Sequence, residues 1–205
     1  MGTAILLKYI GATIIVFGAF FFGMSEHVDA TEISLETIGS QTPNAHIFTT
    51  QDHRLQLSSS GDTYSFVALE SMDLCTDYCG ITFNMLGLGF GGNVQFMRLT
   101  FYGQLGAYYI RPTENEWNSN ENLYYYFKQF GDISNVKRYS INNSNGIGGQ
   151  VGAKFSLSKH SYIKFGYRLL QFYINPRLDF TGGGYWHAPA TLRFSGFVVG
   201  YGLKW

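Results

Sequence analysis

Apolar and polar side chains alternate along much of this chain with a period of two. From Ile147 to Leu157, the odd positions carry Ile147, Gly149, Val151, Ala153, Phe155 and Leu157, whereas the even ones carry Gly148, Gln150, Gly152, Lys154 and Ser156. Ser161 to Tyr173 repeats the pattern, with Ile163, Phe165, Tyr167 and Leu169 set against Lys164, Gly166 and Arg168. In the last segment Phe197, Val199, Tyr201, Leu203 and Trp205 share one face, and Gly196, Val198, Gly200, Gly202 and Lys204 share the other. Successive side chains of a strand point to opposite sides, so this period predicts strands whose two faces meet different surroundings. Strands are expected at about 63–72, 80–90, 94–110, 146–157, 161–174 and 191–205, with two weaker ones near 32–40 and 46–57. The fold class is all-β and antiparallel, with about eight strands.

The amino-terminal part reads differently. Ile10–Met24 is an uncharged run of 15 residues behind Lys8, which suits the apolar core of an export signal better than the roughly 20 residues of a spanning helix. Val28-Asp29-Ala30 supplies short side chains for a processing site, so residues 1–30 are expected to be a signal peptide and 31–205 a single domain. A retained anchor is the other reading. No Cys follows the apolar core, so a lipidated amino terminus is not expected. Beyond residue 31 no apolar run is long enough for a helix to cross a bilayer, and insertion there would have to use strands.

Composition sharpens the choice of surroundings. Aromatic residues make up 18% of the chain and charged residues only 14%, and there are 25 glycines. A great deal of aromatic surface must be buried or immersed in lipid. Glycine recurs on the polar face of the strands. Several side chains converging on a narrow lumen favour glycine, whereas a strand facing solvent is weakened by it. The expectation is therefore a barrel with Phe and Leu toward lipid and Gly and Lys toward a cramped interior. A soluble sandwich or lipocalin-like barrel, with the faces reversed, is the alternative. Lys+Arg and Asp+Glu balance at 14 each, so no basic excess argues for nucleic acid.

The alternate residues Phe197, Val199, Tyr201, Leu203 and Trp205 resemble the carboxy-terminal assembly signal of Gram-negative outer-membrane barrels, with Trp in place of the usual Phe. Lys164-Phe165-Gly166-Tyr167-Arg168 and the last strand together resemble the closing hairpin of small barrels of the OmpA and OmpX type. The specific part covers about 45 residues. The resemblance implies an up-and-down transmembrane barrel in the bacterial outer membrane, with the barrel assembly machinery, outer-membrane lipid and lipopolysaccharide as partners; it implies no activity by itself.

The connections follow the same scheme, in which periplasmic turns are short and outward loops long. Working back from Trp205, 175–190 is an outer loop, 158–160 a periplasmic turn and 111–145 an outer loop. Gly91-Gly92-Asn93 is then a periplasmic turn, 73–79 an outer loop and 58–62 a periplasmic turn. Residues 31–57 alternate less clearly, and a periplasmic extension or plug is their other reading.

Candidate chemistry is sparse. Glu70, Tyr102, Gln104, Gln150, Lys154, Lys164, Arg168 and Lys204 are assigned to a polar network in the lumen, because a charge in so narrow a space needs a partner. Eight strands leave room for side chains to fill the interior, so a packed network is favoured over a small pore. Cys75 and Cys79, three residues apart, are too few for a metal site and are read as a loop disulfide in an oxidising exported setting, with two free thiols as the alternative. No catalytic, cofactor or metal set is identified. A lipid A-modifying enzyme is the least favoured class: His160-Ser161 departs in spacing and side from the pair of outer-membrane deacylases, and His187 with Asp179 and Thr181 would need a folded-back loop. In the 111–145 loop, Trp117, Tyr124, Tyr125, Tyr126, Phe127 and Phe130 are candidate contacts for an envelope protein or host surface ligand. A short helix over Glu121–Phe130 is one conformation expected there. Tyr109, Phe155, Tyr173, Tyr201 and Trp205 fit interface girdles, while Arg111, Lys137, Arg138 and Arg177 are placed to meet lipopolysaccharide phosphates. The expected role is structural or interactive at the cell surface.

Overall fold

The computed structural model describes residues 31–41, 49–75, 79–113, 116–117, 135–187 and 189–205. The segment expected to be an export signal, 1–30, lies outside the described residues. Twelve strands are formed: β1 (Thr31–Gln41), β2 (Thr49–Ser59), β3 (Thr63–Cys75), β4 (Cys79–Phe96), β5 (Leu99–Pro112), β6 (Glu116–Trp117), β7 (Val136–Ser140), β8 (Ser144–Ser156), β9 (Ser161–Ile174), β10 (Arg177–Phe180), β11 (Tyr185–His187) and β12 (Ala190–Lys204). Eight of them close into an antiparallel barrel in the order β1-β12-β9-β8-β5-β4-β3-β2. The other four make a small sheet, β11-β10-β7-β6. Closure leaves the barrel no free edge.

The described residues of 31–57, namely 31–41 and 49–57, belong to the barrel and are not a plug. β1 pairs with β2 on one side and with β12 on the other, and so closes the ring. The seam runs to its end, where the Thr31 amide donates to the Trp205 carbonyl at 3.1 Å. Short links occupy the end that carries the chain termini: 60–62, Met97-Arg98 and 157–160. The small sheet lies in the long connections β5–β8 and β9–β12, at the opposite end.

One turn falls elsewhere than its sequence suggests. The chain does not reverse at Gly91-Gly92-Asn93; β4 continues to Phe96, and Gly91 and Gly92 stay paired with Gln104 and Gly103. The Tyr64 ring occupies the space that a side chain on Gly91 would need, so this glycine admits an aromatic ring where a bend was expected. Reversal comes at Met97-Arg98, with Met97 in the left-handed region at φ 55°, as two-residue hairpin links require.

The polarity of the barrel is inverted relative to a soluble protein. Phe197 is 74% exposed, Phe90 67% and Ile147 66%, on outward faces, whereas Glu36, Arg54, Lys164 and Arg168 are buried. Among the described residues, the charged side chains that point outward from barrel strands are Asp73, Arg111 and Arg193, all toward the end with the small sheet. The wall between carries no charge, which is the surface hydrocarbon tolerates. Tyr109, Phe155, Tyr173, Tyr201 and Trp205 are exposed toward the ends of their strands.

Inward glycines make room for neighbouring strands and their inward rings. A side chain at Gly152 would meet the Phe165 carbonyl and the Gly166 Cα, both backbone, besides the Tyr102 hydroxyl. Gly152→Val is therefore expected to lower stability by about 1–3 kcal/mol, as overpacking does. Gly182, with open space around it, should accept alanine within roughly 0.5 kcal/mol. Reversible urea unfolding in detergent micelles, followed by tryptophan fluorescence, would measure both.

Candidate functional site

Alternation carries the inward polar residues to one level of the lumen. Glu32, Glu36, Asp52 and Glu70 are buried there with Arg54, Lys154, Lys164 and Arg168, four acids against four bases. Such charges persist away from water only when paired and hydrogen-bonded. Lys164 Nζ lies 2.6 Å from Glu36 Oε1, and Lys154 Nζ lies 2.6 Å from Glu32 Oε2. Arg168 is bonded to Glu70 and stands 4.0 Å from Asp52. Arg54 donates to Gln150 Oε1 at 2.9 Å and lies 5.3 Å from the centre of the Phe66 ring.

Neutral groups join the Glu36–Lys164 pair and Arg54 into one network and extend to the Glu32–Lys154 pair, beside the Arg168–Glu70–Asp52 group. Gln56 and Gln104 exchange hydrogen bonds at 3.2 and 3.1 Å. Tyr64 donates to Gln104 at 3.0 Å. Gln150 donates to Glu36 at 3.2 Å and to the Tyr102 hydroxyl at 2.8 Å. Tyr162 and Ser34 donate to Glu32 and Glu36. The network thus connects β1, β2, β3, β5, β8 and β9 across the lumen.

Of the residues assigned to this network from sequence, Glu70, Tyr102, Gln104, Gln150, Lys154, Lys164 and Arg168 are brought together. Lys204 is not: it has the inward register but is exposed at the mouth by the chain termini. Glu32, Glu36, Asp52, Arg54, Gln56 and Tyr64 were missed. Their signal was legible in two ways. Ile33 and Leu35 alternate with Glu32, Ser34 and Glu36, and four inward bases assigned with only Glu70 left a deficit of acids.

Toward the small sheet the lumen changes character, contrary to the expectation of a Gly and Lys interior throughout. Met72, Phe83, Met85, Ile110, Phe172 and Phe194 belong to a buried apolar cluster. Phe172 meets Phe83 edge-on at 5.3 Å between centroids and stacks on Phe194 at 5.6 Å. On β9, Leu170, Phe172 and Ile174 continue the inward row of Lys164 and Arg168. The inner face therefore goes from charged to apolar without any shift in register. Leu178 of β10 and Ile141 after β7 pack into the same cluster, which seats the small sheet on the barrel.

The other face of that sheet is polar. Arg177, Ser140 and His187 occupy one cross-strand row, and Arg138, Asp179 and Tyr185 the next. Arg177 Nε donates to Asp179 at 2.8 Å, and its guanidinium lies 4.3 Å from the Tyr185 ring centre. A cleft of about 680 Å³ is lined by Lys137, Arg138, Arg177, Asp179 and Tyr185, beside the Gly183-Gly184 turn. Both glycines have positive φ, 85° and 88°, which L side chains rarely adopt. Thr181 turns its hydroxyl to the Asn135 carbonyl, and Asp179 is held by Arg177, so His187, Asp179 and Thr181 are not assembled as base, orienting acid and nucleophile.

Cys75 and Cys79 are Cα partners across the β3–β4 hairpin; their side chains lie outside the described residues, as does that of Trp117. Tyr124, Tyr125, Tyr126, Phe127 and Phe130, with the helix expected at Glu121–Phe130, also lie outside them. Phe197, Val199, Tyr201, Leu203 and Trp205 form one exposed outward row of β12.

The closed eight-stranded barrel has solved counterparts. Neisserial surface protein A superposes with a TM-score of 0.55 at 10% identity, over 86% of this chain and 96% of that one. The outer membrane protein OprG from Pseudomonas aeruginosa does so with a TM-score of 0.58 at 12% identity, over 87% and 97%. The fold is that of the small outer-membrane barrels. At these identities the likeness is one of fold. No protein-family model and no curated protein matches the sequence.

The pairing has a measurable signature. Lys164→Met strands the Glu36 carboxylate and is expected to cost about 3–5 kcal/mol, whereas Lys164→Met combined with Glu36→Leu should recover most of the loss, because breaking a buried pair costs more than replacing it. A double-mutant cycle by urea unfolding checks this; equal costs for the single and double variants would contradict it.

Proposed function

We propose that the chain is an integral barrel of the bacterial outer membrane, with its termini in the periplasm and its small sheet outside. In this reading the barrel is a closed scaffold, and its work is interaction at the cell surface through the sheet β6–β7–β10–β11 and the 111–145 connection. The observation that carries it is the filling of the lumen. A charge-balanced network occupies the level of Glu36 and Arg168, and the apolar cluster around Phe172 stands above it. An ion crossing the barrel would have to shed water among Met and Phe side chains, with no charged group among the described residues of that cluster to replace it.

The uncharged outer wall supports lipid contact, and the short links at the terminal end support a periplasmic address for the termini. The outward row from Phe197 to Trp205 is the segment offered to the assembly machinery. Cys75 and Cys79, opposed at the outer hairpin, are assigned as a disulfide, which the exported setting favours. The cleft of Lys137, Arg138 and Arg177, with Arg111 on the neighbouring barrel rim, suits the phosphates of lipopolysaccharide. Guanidinium forks fit phosphate oxygens, and each basic group near an anionic surface adds about 1 kcal/mol. The role is not catalytic.

Purified barrel in planar bilayers is expected to give no single-channel steps. Reducing Phe83, Phe172 and Phe194 together to glycine should open small, ion-selective steps; steady conductance of the unaltered protein would refute the closed-scaffold reading. Lipopolysaccharide binding by the unaltered barrel should weaken roughly tenfold or more when Arg111, Lys137, Arg138 and Arg177 are all replaced by alanine. Binding that ignores all four removes lipopolysaccharide phosphate as the ligand.

A further inference from the structure

At the end that carries the chain termini, the lumen opens into a vestibule of about 580 Å³. Its floor is built by Glu32, Lys154 and Tyr162. The floor is electrically closed: Lys154 and Glu32 neutralise each other at 2.6 Å, and the ammonium lies 5.1 Å from the Tyr162 ring centre. Above the floor the wall offers Asn93, Thr100, Ser156 and Ser158, hydroxyls and an amide that can donate hydrogen bonds.

The rim is not neutral. Arg98 comes from the β4–β5 link, Lys159 from the β8–β9 link and Lys204 from the end of β12, and all three are exposed. Among the described residues, the acid beside them at the rim is Asp62, from the β2–β3 link. Three described bases against one acid stand there, outside the ion-paired interior. Low-dielectric walls around such a mouth focus its field on incoming anions. The three cations come from three separate segments around the opening. An extended chain bearing several carboxylates can engage them together, while its backbone and side chains meet the polar wall.

We propose that this vestibule receives an acidic peptide segment of a periplasmic partner. The assignment rests on the orientation argued above, with the termini in the periplasm, and adds a second contact surface opposite the outer sheet. Lys154 stays with Glu32 and closes the floor, and the rim cations take the carboxylates. Because these cations are solvent-exposed, the attraction is screened within about 10 Å at 0.1 M salt and must fade as salt rises.

The test uses the full barrel in phosphatidylcholine nanodiscs and fluorescent hexaglutamate as the probe, read by anisotropy. Saturable binding is expected, weakened roughly tenfold or more by the triple variant R98E/K159E/K204E and by added salt, and unchanged by K137E/R177E on the outer sheet. Hexalysine should not bind. The substituted residues lie in exposed links and at a strand end, and heat-dependent gel mobility verifies that the triple variant is folded. Absence of saturable hexaglutamate binding overturns the proposal, as does equal binding by the triple variant. Citrate binding as tightly as the peptide also overturns it, since that would mark a small-anion site. An epitope inserted after Lys159 separates the two readings. It should be reached by antibody only once the outer membrane of intact cells is permeabilised. Exposure on intact cells overturns the periplasmic source, while nanodisc binding would still report on the vestibule itself.

Discussion

Ion pairing across the lumen is the constraint from which the rest of this structure follows. A barrel with an uncharged outer wall has nowhere to put ionised side chains except inside or at its ends. Eight strands leave too little room inside for water to solvate them. Buried bases therefore find partners on other strands, as Lys154 finds Glu32 and Lys164 finds Glu36 across the ring, while Arg54 donates to Gln150. The two ion pairs connect the first strand to strands more than a hundred residues later, so they also fix which strands face each other.

The same narrowness explains the glycines. Tyr64, Tyr102 and Tyr162 project inward beside the network, and they do so against wall positions at Gly91, Gly152, Gly166 and Gly202 that carry no side chain. Ring and glycine are complementary halves of one packing device, and the hydroxyls complete the hydrogen bonding of Gln104, Gln150 and Glu32. Above this level the lumen is filled by Met, Phe and Leu, and the small sheet sits on that filling. The seating of the small sheet thus depends on an apolar lumen, and the proposed closure of the lumen rests on the same residues.

Function is pushed to the ends. With the middle of the barrel neutral inside and apolar outside, the basic clusters that the described residues offer for recognition are the Lys137, Arg138 and Arg177 cleft of the small sheet and the Arg98, Lys159 and Lys204 rim of the vestibule. Both are basic, and they differ in setting. The first lies on a sheet seated on the core, with Arg177 held by Asp179 and Tyr185. The second is a ring of exposed cations over a neutral floor.

Alternation by itself determined the six barrel strands from Thr63 onward and the outward side of Phe165, Tyr201 and their neighbours, because a period of two is a local property that every strand must obey. The first two strands alternate too weakly to be settled that way, and only the closed ring places them. Alternation did not locate the β4–β5 turn, since a glycine pair can make a bend or make room for Tyr64, and only the partner strand decides which. It did not supply the acids of β1 and β2, whose value lies in bases distant along the chain. Nor did it show that the inward row of β9 passes from Lys164 and Arg168 to Phe172 and Ile174. What fills a lumen at a given height is set by all eight strands together, and that is fixed only when the ring closes.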